Sequence, residues 1–310
     1  FLIIDNGSTD GTLEYLLAQP DVYVWSSGCS FRDANFGAAW FELLLQRYGI
    51  GHWVLIVDAD ELFYYPECEQ KSLPQLCDEL TQQGVKAYGA ILLDMYSDRA
   101  IGETHYKPGE DFLRTCPYFD RQFYHVQVPF QGPYQNQALY AGGVRRRIFG
   151  GTQWSYCLNK VPLLFYSPEC VLTGGQHATS YPSAKLSPER GCVLHFKFFA
   201  SFLQYAATEA IRQEHAREAL EYRHYADALA DKQPLTLYDP KHSVRFRDSA
   251  QLIELGIMQR ALTGEYALKL NHSQTQSSKQ ITAYVKLGET WLAKGDAEKA
   301  AAYYHKVIEL

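Results

Sequence analysis

Apolar runs and polar turns alternate along the first hundred residues so as to predict strands and helices in turn. Residues 1–4 (FLII) form a short β-favouring run that ends in the turn cluster Asp5-Asn6-Gly7-Ser8. Capping residues over 9–12 follow, and Leu13, Leu16 and Leu17 then recur at helical spacing. Residues 22–25 (VYVW) predict a second strand. Phe36, Trp40, Leu43, Leu44 and Tyr48, at three- and four-residue steps, predict a helix over 34–48. The run at 53–57 (WVLIV) stops abruptly at Asp58, and 72–83 and 87–93 read as a further helix and strand. Such alternation is the pattern of an α/β fold, an open, mainly parallel sheet with helices on both faces. Ligands bind such sheets beyond the carboxyl ends of the strands. Asp5, Asp58 and Asp94 each follow a predicted strand, so all three are expected along one edge.

From 97 to 137 the helical rhythm fades and Pro, Gly, Tyr and Asp dominate, the composition of a long functional loop. Strands are predicted over 143–149, 163–166 and 192–198, and a long helical region over 199–230. A polar, proline-containing break at 231–243 marks a boundary, 244–262 reads as a helix, and 271–279 (NHSQTQSSK) as a polar linker. In the tail, Tyr284, Leu287, Gly288, Trp291, Ala300, Tyr304 and Val307 fit one tetratricopeptide-type repeat, with Gly295-Asp296 at its turn. An ordinary amphipathic hairpin is the plainer reading of that pattern. The expected organisation is an α/β domain over 1–230, a helical connecting region over 231–278, and a repeat-like hairpin over 279–310 that could recruit a protein partner.

Composition narrows the function. Against 35 acidic residues stand 29 basic ones, a net charge of −6, which lacks the basic footprint of a nucleic-acid binder. The seven cysteines are odd in number and include no C-x-x-C pair, which argues against a disulfide framework or a zinc site and suits a reducing compartment. No apolar run approaches the ~18 residues of a membrane span. A cytoplasmic or membrane-peripheral protein is expected. Phe1 already lies inside an apolar run, so further chain is expected before it. Aromatics reach 14%, which suits pockets that stack sugars and bases, although core packing accounts for most of them.

The candidate chemistry centres on Asp58-Ala59-Asp60-Glu61. A buried strand delivers two carboxylates, one small residue apart, to the edge where ligands sit. Carboxylate oxygens suit Mg²⁺ or Mn²⁺, which keep open positions for substrate phosphates. An acidic turn that merely ends the strand is the alternative. His195, in VLHFKF, is either a neutral imidazole ligand for Mn²⁺ or a core histidine; His177, in GGQHAT, is a candidate for the rim of the site.

The ordered set of 4–12 (IDNGSTDGT), Arg32, Asn35 and 57–61 (VDADE) resembles glycosyltransferase family 2 and its close relatives. Later segments resemble a subgroup of these enzymes: 93–96 (LDMY), 142–145 (GGVR), 160–163 (KVPL) and 194–197 (LHFK). Together they cover roughly residues 1–225. The resemblance implies the GT-A fold, with one more strand ahead of Phe1, and an inverting transfer of a sugar from a nucleotide-sugar donor to an acceptor hydroxyl. The donor would be a UDP- or GDP-sugar, and the acceptor a glycan, lipid or protein. It also implies that Asp5 contacts the base or ribose with Asp10 nearby, that Asn6 and Gly7 shape the turn, and that Arg32 reaches the diphosphate beside Asn35. From the residues alone, Asp5 is equally a turn former, Asp10 and Asn35 helix-start residues, and Arg32 a surface ion-pair partner. Asp58, Asp60 and His195 would hold Mn²⁺ or Mg²⁺. Asp94 is the first choice for the base that deprotonates the acceptor, with Glu61 and Asp120 as alternatives. A non-catalytic scaffold with a degenerate transferase domain is the second reading. A nucleotidyltransferase is a third, disfavoured because the loop after the first strand is acidic rather than basic.

Overall fold

In the computed structural model the described residues are 1–122, 124–127, 139–152, 155–173, 175–212, 216–231 and 234–261. The chain divides into two units, Phe1–Arg260 and Ala261–Leu310. The repeat-like hairpin and most of the second unit lie outside the described residues.

In chain order the first unit contains β1 (Leu2–Asp5), α1 (Thr12–Leu17), β2 (Tyr23–Ser26), α2 (Ala38–Leu44), β3 (Trp53–Leu55), β4 (Glu61–Tyr64), α3 (Leu73–Gln82) and β5 (Ala87–Asp94). Then come α4 (Phe112–Thr115), β6 (Tyr118–Asp120), β7 (Tyr124–Gln127), β8 (Leu139–Gly142), α5 (Gly143–Phe149), β9 (Asn159–Phe165), β10 (Leu172–Thr173) and β11 (Ala178–Thr179). The series closes with β12 (Leu186–His195), α6 (Ser201–Arg212), α7 (Ala216–Asp231), β13 (Ser243–Arg245) and α8 (Ser249–Glu254).

The fold is mixed α/β. Its central sheet has five strands in the order β3-β9-β5-β12-β4. The sheet is mixed, but not mainly parallel as expected: β5 and β12 run parallel, whereas β3–β9, β9–β5 and β12–β4 are antiparallel. The reason is that β9 inserts between β3 and β5, and that the chain returns as β4 straight after Asp58–Asp60. β3 and β4 occupy opposite edges although only residues 56–60 separate them. A flat sheet would place those edges four strand spacings apart, about 19 Å, near the limit for a fully extended link of this length. The link also contains a turn, in which Glu61 N donates to Asp58 O at 3.0 Å. The sheet therefore curls, and the acidic turn crosses its open end.

β5 is buried along its length except at Gly89, as befits a central strand. Successive residues point to opposite faces. Ala87 joins a cluster with Leu45, at the end of α2, while Tyr88 packs with Leu76 and Leu80 of α3. Helical segments thus cover both faces. α3 starts where its sequence says it should, at a Ser72/Gln75 capping box with Pro74 in the first turn. The helix predicted from 34 starts later, because Asn35 and Phe36 hold positive φ (50° and 56°), and it ends in one π-helical turn, Leu45–Gly49.

Two other expectations shift, and one holds. Residues 143–149 form the helix α5 rather than a strand, entered through Gly142 and Gly143 at φ 112° and 69°. The helix expected over 244–262 resolves into β13, which pairs with β6, and α8, which buries Leu252. The region 199–230 contains two helices, α6 and α7. β1 and β2 pair in parallel as a separate two-stranded ribbon.

Candidate active site

The register of three strands sets one row of side chains. His195 at the end of β12 lies opposite Asp94 of β5 on one side and Glu61 of β4 on the other. His195 Nδ1 is 2.7 Å from Asp94 Oδ1, and its Nε2 is 3.4 Å from Asp60 Oδ2. Burial works to lower the imidazole pKa, but hydrogen bonds and charge from Asp60 and Asp94 outweigh it and raise the pKa to about 9. Against its own burial, Asp60 is held below its usual range, chiefly by the hydrogen bond to His195. Its side chain keeps 41% exposure, so it faces solvent.

Asp94 has no exposed carboxylate to offer. Its side chain is 1% exposed, and its second oxygen accepts from Arg145 Nε at 2.7 Å. Burial opposes ionisation, yet the Arg145 charge and the His195 hydrogen bond hold the carboxyl well below its normal range. Arg145 extends the chain of charges through Nη1 to Glu221 Oε1 at 2.9 Å, and Tyr225 Oη also donates to Glu221. The polar chain therefore runs from the exposed Asp60 through His195, Asp94, Arg145 and Glu221 to a tyrosine inside the helical layer.

Asp58 belongs to a second cluster. Lys160 of β9, 7% exposed, places Nζ 3.1 Å from Asp58 Oδ2 and 2.7 Å from Glu61 Oε1. Glu61 Oε2 accepts from Asp58 N at 3.1 Å. The Gln176 amide, oriented to satisfy both ends, accepts from Lys160 at 2.9 Å and donates to Ile56 O at 2.7 Å. Burial raises the Glu61 pKa, with Lys160 acting against it. Burial works to lower the Lys160 pKa, but the two carboxylates outweigh it and raise it. His177 sits nearby, its Nδ1 donating to Asn159 O at 2.6 Å, with a pKa lowered by burial and by Lys160. This polar group closes one end of a cavity of about 920 Å³ whose other walls are apolar, between residues 1–4 and 53–57. His177 also lines this cavity.

The opening loop is built from backbone bonds. Asp5, 5% exposed, accepts from Gly7 N at 3.1 Å and Ser8 N at 3.3 Å, which fixes the turn and lowers its pKa, foremost through Ser8. Gly7 supplies φ 81° there. Asn6 Nδ2 ties the loop to Ser27 O and Cys29 O at 2.8 and 2.7 Å. Asp10 accepts from Thr12 N at 3.1 Å at the start of α1. Arg32 and Asn35 are exposed, the latter in the left-handed conformation that asparagine tolerates. Of the three strand-end aspartates expected on one edge, Asp94 ends a strand of the central sheet, Asp58 lies in the link between β3 and β4, and Asp5 ends a strand of the separate ribbon. Asp120 is fully buried and accepts from Arg147 at 2.7 and 2.8 Å, an ion pair that leaves it no access to an acceptor hydroxyl.

No family model, curated protein or solved structure matches this chain. The site must be read from its own chemistry. Among the described residues no group of three or more His, Cys, Asp and Glu side chains surrounds a common point where a metal could sit. What does fit a divalent cation is the pair Asp60 and His195. At its raised pKa His195 is protonated on both nitrogens, with Nδ1 on Asp94 and Nε2 toward Asp60, so a cation at this pair would have to displace the Nε2 proton. Mg²⁺ and Mn²⁺ accept one or two protein ligands when water and substrate phosphates complete the sphere. Asp58 is paired with Lys160 instead. Residue types alone did not mark Arg145, Lys160, Lys197 and Glu221, whose roles depend on contacts up to 102 residues apart.

Proposed function

We propose that the chain is a nucleotide-sugar-dependent glycosyltransferase with a GT-A-like domain, assisted by a divalent cation at Asp60 and His195. The reading rests on one observation: at the carboxyl ends of two parallel strands, an imidazole held by buried Asp94 presents Nε2 to a solvent-facing aspartate. A bound Mn²⁺ or Mg²⁺ supplies Lewis-acid stabilisation of the departing nucleoside diphosphate. The chain's own residues bind and position. Asp94 positions His195 rather than accepting a proton from the acceptor, since both its oxygens are engaged. Glu61 and Lys160 hold Asp58 where it lines the cavity. The Asp5–Gly7–Ser8 turn gives the nucleotide an ordered loop to meet.

Isothermal titration with UDP- and GDP-sugars, with and without Mn²⁺, tests this. Wild type should bind one donor class in a Mn²⁺-dependent manner, and Asp60→Asn should lose that dependence while keeping its circular dichroism spectrum. Absence of nucleotide binding would overturn the function. Unchanged Mn²⁺-dependent binding by D60N would overturn the metal assignment alone.

A further inference from the structure

One aromatic ring near Asp60 stands outside the core. Tyr205 of α6 is 45% exposed and meets Tyr222 of α7 edge-on, the ring centres 5.6 Å apart and the planes at 81°. Tyr205 belongs to none of the hydrophobic clusters of the described residues, whereas Tyr222 packs against the cluster that holds Phe198, Phe202 and Tyr225. Tyr222 is braced in turn: the Lys197 ammonium lies 4.9 Å from its ring centre, and the Tyr225 ring meets it at 5.7 Å. An aromatic plane is thus fixed at the surface on a rigid support, the kind of preorganisation that lowers the cost of binding.

The surroundings locate this plane and define its chemistry. Burial raises the pKa of the Tyr205 hydroxyl, and the Glu209 and Asp60 charges add to the effect, so the ring stands within electrostatic range of the solvent-facing carboxylate. Residues three, four and seven positions on share a helical face, which places Thr208, Glu209 and Arg212 beside Tyr205. Thr208 is exposed, and Arg212 keeps 51% of its side chain exposed while pairing with Glu209 at 3.1 Å. One aromatic plane rimmed by a hydroxyl and a guanidinium suits a ligand with an apolar face and a polar edge. A pyranose ring has both. Its axial C–H bonds pack on the negative face of the π system, and its hydroxyls exchange hydrogen bonds with the polar side chains. An alkyl chain laid here would strip water from Thr208 and Arg212 and return no hydrogen bond.

We propose that Tyr205, braced by Tyr222 and flanked by Thr208 and Arg212, is a stacking platform for a sugar ring, which makes the acceptor a glycan. The role of that sugar as acceptor rests on the transferase reading; sugar binding at the platform does not.

The test uses the full chain, with cellotetraose, chitotetraose and mannotetraose as calorimetric probes and the open-chain polyol sorbitol as the control that has hydroxyls but no ring. Wild type should bind at least one tetraose and not sorbitol. Tyr205→Ala should bind that tetraose about 10-fold or more weakly, as expected when an aromatic anchor is truncated. Tyr205→Phe keeps the plane and should stay within about three-fold of wild type, well inside the tenfold that 1.4 kcal/mol produces. Since Tyr205 lies outside the core clusters, the fold should hold in both variants, and a thermal melt checks this. A wild type that binds no tetraose, or binds sorbitol equally, would overturn the platform. Equal tetraose binding by Y205A and wild type would do so too, and a loss in Y205F as large as that in Y205A would overturn the stacking. Tetraose binding that is lost in Y205A, in a protein that binds neither UDP- nor GDP-sugars, would keep the platform and overturn the transferase reading. Donor binding without tetraose binding would do the reverse.

Discussion

Asp94→Asn is the sharpest probe of the charge chain. The asparagine keeps the shape of the side chain, but one carboxylate oxygen becomes an NH₂ group facing a donor, either Arg145 Nε or His195 Nδ1. Two charge-assisted hydrogen bonds at 2.7 Å are disturbed inside a site where Asp94 is 1% exposed. Breaking one partner of a buried pair costs about 3–5 kcal/mol, because the remaining charge is left uncompensated. Arg145 retains Glu221, which places the expected loss toward the lower end, about 3 kcal/mol. The pH signature is more specific. His195 is raised from 6.5 to about 9 in the folded protein, worth about 3 kcal/mol at 1.36 kcal/mol per unit. A raised folded-state pKa stabilises fully below the unfolded value, and that stabilisation is lost as pH climbs from 6.5 towards 9. Urea denaturation of the metal-free protein at pH 6, 7, 8 and 9.5 should therefore show wild type weakening over this window and D94N weakening much less. If the two proteins keep a constant difference across the window, or if D94N costs under about 1 kcal/mol, the coupling of Asp94 to His195 is refuted.

Two further outcomes follow from the same geometry. Gly191→Ala should destabilise by about 1–3 kcal/mol through overpacking, measured by thermal denaturation, because a Cβ there would lie 2.7 Å from the Tyr64 carbonyl oxygen and 2.9 Å from the Phe63 ring. Lys160→Met should cost about 3–5 kcal/mol by stranding buried Glu61, and adding Glu61→Gln should restore part of it; strict additivity in the double-mutant cycle would refute the pair.

Much of the site's skeleton was legible because it is local. An apolar run that stops at an acid predicts a carboxylate at a strand end, and Asp94 is found there, whereas β3 stops at Leu55 and Asp58 stands three residues further on, in the link to β4. The Ser72/Gln75 box likewise marks the start of α3 within four residues of sequence. Strand direction was not legible. A strand buried on both faces, such as β5 or β9, carries the same apolar run whether its neighbours are parallel or antiparallel. The division of the D-x-D pair between Lys160 and His195 was equally hidden, since it depends on which strand lies beside which. The short helix α5 misled because residues 143–149 offer Val, Ile and Phe, which favour strands, while its two leading glycines set the backbone that turns it into a helix. Glu221 carried no signal, being one acidic residue among several on a helix.

The β1–β2 ribbon has a consequence for how the molecule breathes. No ladder joins it to β3, and α1 and α2 contribute no buried residue. Phe1, Tyr15 and Leu17 stand 78%, 68% and 65% exposed. An isolated pair of strands is marginal in water, so the amides of residues 2–26 should exchange with solvent long before those of β5 and β12, as a low-stability cooperative unit. Whatever binds the Asp5 loop must then first draw on the fraction of molecules in which the ribbon is formed, and its apparent affinity is reduced by that fraction. Occupancy should reappear as slowed exchange over the same amides, so the least protected part of the domain would double as a reporter of ligand binding.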